Sequence, residues 1–146
     1  MPDSLLPKPF SLQEAKLKNP LALAYLGDTV WDLLIRQRML AGGLPVGALH
    51  RRAILLANAG AQAEAAARIE PALSPEEADV MRRGQNAHAH HRAPKRGRNS
   101  THTAPKSATR AQYSRATGLE ALMGYLYLTG QTGRIAELFD IGVPIL

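Results

Sequence analysis

Leu21 to Arg36 read LALAYLGDTVWDLLIR, and the fold turns on how this stretch is understood. Leu21, Ala24, Tyr25, Trp31, Leu34 and Ile35 recur at helical spacing, and the run stops at Gly42-Gly43, so it predicts a long amphipathic helix. Asp28 interrupts its apolar side. A buried carboxylate without a partner costs several kcal/mol or surrenders its charge, so Asp28 requires a partner, water or a cation.

Helical signals extend in both directions. Upstream, Ser11 opens SLQE, a capping box with Glu14, and a short helix should end near Asn19-Pro20. Downstream, the alanine-rich stretch Ala48 to Ile69 predicts one or two helices, with Gly60 as a possible break and Pro71 as a stop. Ser74 and Pro75 begin a helix with acids in its first turn and Arg82-Arg83 just before Gly84, where it is expected to end. A basic loop is expected at about 85–108. Helix resumes by Ala111 and reaches Gly130, and TGRIAELFDIG forms a last short helix. Strand signals are nearly absent, there is no internal repeat, and the 146 residues read as one all-α domain.

Composition narrows the chemistry. With no cysteine, thiolate metal sites, thiol nucleophiles and disulfides are excluded, and a reducing compartment is expected. Nothing resembles a membrane span or a secretory signal, so a cytoplasmic location is expected, with no membrane partner. Net charge is +6, and nine of the 18 Lys and Arg residues lie between Arg82 and Arg115, a segment without an acid. Separation of sign on that scale suits a surface that meets phosphates.

A second acid is as conspicuous as Asp28. Leu119, Leu122, Met123, Leu126 and Tyr127 form an apolar stripe, and Glu120 sits at its edge with no Lys or Arg three or four places away. Gly124 lies one turn further on the same face, and Gly27 thins the helix beside Asp28. The pattern leaves open that both acids are simply exposed. If the two helices cross here, the carboxylates face one another and need a shared proton or a divalent cation. Oxygen ligands without cysteine favour Mg²⁺ or Mn²⁺ over zinc. Such an ion beside a basic surface suits hydrolysis of phosphodiesters. His88, His90 and His91 are expected to be solvent-exposed rather than metal ligands, His50 has no catalytic assignment, and Trp31 and Tyr25 are expected in the core or a dimer interface.

YLGDTVWD, followed much later by ATGLEALMGYLYL, resembles the paired catalytic helices of the ribonuclease III family, in particular its short bacterial form, Mini-ribonuclease III. The resemblance runs from about Asn19 to Phe139 and includes LHRRA, RRGQNA and Pro105-Lys106 in the same order. It implies the helical ribonuclease III endonuclease-domain fold, a homodimer, and Mg²⁺-dependent cleavage of double-stranded RNA that leaves 5′-phosphate and 3′-hydroxyl ends. Asp28 and Glu120 match the family's metal-binding catalytic acids. Arg83, Asn86, Lys106 and Arg115 match its RNA-contacting pattern. The biological substrate implied is precursor 23S ribosomal RNA, with a ribosomal protein as a possible helper. Full-length enzymes carry additional acids where this chain has Leu21, Ala24 and Thr117, as the short form does, leaving fewer carboxylates for metal. An RNA-binding appendage after Leu146 is not expected, so the basic segment is expected to supply phosphate contacts. The alternative is a non-catalytic helical RNA-binding or ribosome-assembly factor using the basic loop alone. Two acids on a phosphate-facing surface weigh against it, because without a cation they repel the ligand.

Overall fold

The computed structural model describes residues 7–90 and 109–144. Among these, seven α-helices follow in order: α1 (Leu12–Lys16), α2 (Pro20–Ala41), α3 (Val46–Ala57), α4 (Ala59–Ile69), α5 (Pro75–His90), α6 (Arg110–Leu128) and α7 (Thr132–Gly142), with a 3₁₀ turn at Glu70–Ala72 and no strand. The all-α expectation is met.

Helix α6 occupies the centre because it is apolar nearly all round. Leu119, Ala121, Leu122, Met123 and Leu126 have no exposed surface, and α2, α4, α5 and α7 pack about it. Three glycines set how closely two of these neighbours approach. A Cβ on Gly27 would lie 1.6 Å from the Glu120 carbonyl oxygen, and one on Gly124 would lie 2.0 Å from that of Leu23, so α2 and α6 cross backbone to backbone. On the α5 side, a Cβ on Gly118 would lie 2.7 Å from the Met81 carbonyl oxygen.

The caps read from the sequence are present at Ser11 and Ser74; Asn19 caps α2 as well, and Thr109 adds a further capping box with Gln112. Two expectations about helix ends need correction. The break between α3 and α4 falls at Asn58, whose side chain accepts from Ala61 N–H, so Gly60 lies inside α4. Helix α5 continues through Gly84 to His90, so Gln85 to His90 are helical rather than part of a loop; residues 91–108 lie outside the described residues. Gly84 is retained inside the helix by contact, since a Cβ there would meet the Ala121 Cβ at 2.8 Å. Of the two aromatics expected in the core or a dimer interface, Trp31 is fully buried against Phe139, with ring centroids 5.0 Å apart and edge-to-face, and Tyr25 is 84 % exposed.

Helix α7 is tied to α5 by a bidentate ion pair. The Arg134 guanidinium meets the two Glu77 oxygens at 2.8 and 2.9 Å and also donates to the Ala72 carbonyl. Glu77 is buried and closes the capping box with Ser74; the guanidinium, aided by that cap, holds its carboxyl below the usual carboxylate range.

Candidate active site

The α2–α6 crossing determines where the two conspicuous acids lie. Asp28 follows Gly27 directly, and Gly27 abuts the backbone of Glu120, so the two side chains leave the contact together. Asp28 is exposed and Glu120 partly buried, and the two carboxyls are close enough to share a hydrogen bond. Burial, then repulsion by Asp28, then that hydrogen bond push the Glu120 carboxyl up to about 8, so near neutral pH Glu120 retains a proton unless another positive charge replaces it.

A third residue completes the site, and sequence reasoning overlooked it. Gln62, on α4, is 3 % exposed, and its amide lies within hydrogen-bonding reach of Glu120, where it favours the ionised carboxylate. Its signal was a single amide among Ala63, Ala65, Ala66 and Ile69 on the buried side of an alanine-rich helix. The alanines are short enough for α4 to bring Gln62 against α6.

The donor set fits a hard divalent cation. Two carboxylates held together where one is partly buried and the other open to solvent gain most from an ion that relieves their repulsion, and the groups within reach are oxygen donors. No group of three or more His, Cys, Asp or Glu suited to metal occurs among the described residues. Asp28 and Glu120 could therefore hold an ion that keeps several waters or takes oxygens from its substrate.

The remaining residues singled out in the sequence are dispersed around this centre. Arg115 is exposed on α6, five residues before Glu120, and Asn86 is exposed on α5. Arg83 is half-buried, and its guanidinium donates to the Lys16 carbonyl at 3.2 Å, tying α5 to the end of α1. Lys106 and His91 lie outside the described residues. His88 is half-buried rather than exposed and stacks on Tyr113, with centroids 6.5 Å apart. His50 is exposed. The α5 and α6 ends are further joined by the Ser114 hydroxyl, which donates to the Gln85 carbonyl at 2.9 Å.

A helical domain that presents a close pair of acids at a glycine crossing, in a chain whose sequence also carries a cation-rich segment, belongs by architecture among the phosphodiester-cleaving helical nucleases. Comparison with known proteins makes the assignment specific. Residues 21–131 match the Ribonuclease III domain. The chain is 45 % identical over 128 residues to Mini-ribonuclease 3 of Symbiobacterium thermophilum, covering 87 % of this chain and 89 % of that protein. It is 38 % identical over 129 residues to Mini-ribonuclease 3 of a Thermoanaerobacter species, covering 88 % and 82 %. A crystal structure of a Fusobacterium nucleatum protein superposes with a TM-score of 0.71 at 27 % identity, over 90 % of this chain and 96 % of that one. The chain belongs to the ribonuclease III family, in its Mini-ribonuclease 3 branch.

Proposed function

We propose that this chain is a Mg²⁺-dependent endoribonuclease that cuts double-stranded RNA, with Asp28 and Glu120 as its metal-binding catalytic acids. The observation that carries the reading is the pairing of these acids at the α2–α6 crossing, with Glu120 partly buried and Asp28 open to solvent. A bound Mg²⁺ would activate water and offset charge on the phosphate, leaving 5′-phosphate and 3′-hydroxyl ends. Mn²⁺ satisfies the same oxygen donors. The chain's own part is to fix the two carboxylates on crossed helices that cannot separate and, through Gln62, to favour the ionised form of Glu120.

Phosphate contacts fall to Arg115, Asn86, Lys106 and Arg83. Arg115 and Asn86 are exposed, while Arg83 also has its structural bond to Lys16. Aromatic residues for base stacking are missing from residues 91–108, which favours duplex over single-stranded RNA. The substrate we assign is precursor 23S ribosomal RNA in the cytoplasm, presented with a ribosomal protein as helper. We assign a homodimer, supported by an apolar strip on one side of α2: Tyr25, Leu33 and Leu40 are 84, 62 and 68 % exposed.

The test is cleavage of an end-labelled RNA duplex and of its separate strands, in Mg²⁺ and in EDTA. Metal-dependent cutting confined to the duplex is expected. Salt-sensitive binding without cutting, even with ribosomal protein added, would replace this reading with the non-catalytic binding factor.

A further inference from the structure

Gln62 is the feature that the family's paired acids do not account for. Its side chain is 3 % exposed on the face of α4 that packs on α6, where its neighbours Ala63, Ala65, Ala66 and Ile69 are apolar. Burying an amide costs about 1–3 kcal/mol unless a partner is supplied, so alanine or methionine would pack there more cheaply. Gln62 and Glu77 are the buried polar side chains among the described residues, and Glu77 is satisfied by Arg134 and Ser74. The partner within reach of Gln62 is the Glu120 carboxylate.

We propose that Gln62 is a positioning residue: its amide N–H holds the Glu120 carboxylate turned toward Asp28, so that the two acids stand ready as a cation-binding pair. The inference rests on the reading of Asp28 and Glu120 as metal ligands. Three helices then fix one site: α2 carries Asp28, α6 carries Glu120, and α4 sets the orientation of Glu120. Hydrogen-bond partners that orient metal ligands typically control affinity about 10- to 100-fold when removed.

The experiment measures Mn²⁺ binding to the full chain by calorimetry for wild type, Gln62→Met, Gln62→Leu and Asp28→Ala, alongside thermal unfolding of each in EDTA. Methionine and leucine preserve volume and helix propensity while deleting the amide, and either one folding suffices. The expected result is loss of Mn²⁺ binding in Asp28→Ala and affinity about tenfold or more weaker in the Gln62 variants, with their unfolding temperatures in EDTA equal to or above wild type. Unchanged Mn²⁺ affinity in a folded Gln62 variant, with binding lost in Asp28→Ala, overturns the positioning role and leaves the metal pair standing. A lowered unfolding temperature with unchanged affinity overturns it too, making Gln62 a packing residue. Wild-type binding in Asp28→Ala removes the metal reading itself, and the inference with it.

Discussion

Replacing Gly124 by alanine sets two effects of opposite sign against each other. Helix propensity favours alanine inside α6 by up to about 1 kcal/mol. Against this, the new Cβ would lie 2.0 Å from the Leu23 carbonyl oxygen and 3.2 Å from the Gly27 nitrogen, and the obstructing atoms are backbone rather than flexible side chains. Ordinary contact begins near 3.4 Å, so one helix must withdraw by about 1.4 Å. A gap of roughly 0.5–1 Å already forfeits a quarter to a half of the dispersion energy along a packed surface, and this surface includes the fully buried Leu119, Leu122 and Met123. Overpacking should therefore win, with a net loss of about 2 kcal/mol or more and a fall in unfolding temperature of about 4–8 °C for a domain of this size. The same displacement would separate Asp28 from Glu120 and lower nuclease activity more steeply than stability. Gly133→Ala is the control: it sits in α7, and an added Cβ meets nothing within 4 Å. Thermal and urea unfolding of the two variants decide the matter. A Gly124→Ala protein as stable as wild type would refute the backbone crossing and, with it, the account of why the two acids are forced together.

Further outcomes follow from the buried acids and the exposed strip. The Glu120 carboxyl is raised from 4.5 to about 8, so the folded state holds the extra proton between those values. Stability should fall as pH rises through that window, by on the order of a few kcal/mol. In EDTA, Glu120→Gln should unfold at a higher temperature than wild type at pH 8, with the gap closing toward pH 4.5; a gap independent of pH would contradict this. Glu77 has the opposite sign, because its carboxyl is held below 4.5 chiefly by Arg134. Its contribution should be intact above pH 4.5 and disappear as acid protonates the folded form, and Arg134→Met should cost about 3 kcal/mol at neutral pH by leaving the buried Glu77 charge without its cation, with the Ser74 cap alone to satisfy it. In sedimentation, wild type should run as a dimer and Leu33→Lys as a folded monomer; an unchanged dimer would move the interface off the α2 strip.

Local chemistry made much of this fold legible in advance. Ser11 with Glu14, and Ser74 ahead of Pro75, cap helices through atoms at most three residues apart, so short stretches of sequence specify them. Asp28 and Glu120 stood out because each breaks an apolar stripe. What sequence could not supply was the company that residues keep across the fold. Gly84 reads as a helix terminator, yet it lies within α5 because α6 passes too close for a side chain. Gln62 reads as one polar residue in an alanine-rich helix, and its meaning appears only when α4 meets α6. Tyr25 has the helical spacing of a core residue, but among the described residues nothing covers its side of α2. Arg83 reads as a free cation, whereas its guanidinium is bonded to the carbonyl of Lys16, 67 positions away.

The most direct measurement is single-turnover cleavage of an end-labelled RNA duplex in Mg²⁺ by wild type, Asp28→Ala and Glu120→Ala, each shown to be folded and to bind the duplex. The account predicts cutting by wild type and none by either variant despite retained binding. Cleavage by Glu120→Ala at the wild-type rate would contradict it and place the chemistry elsewhere in the chain.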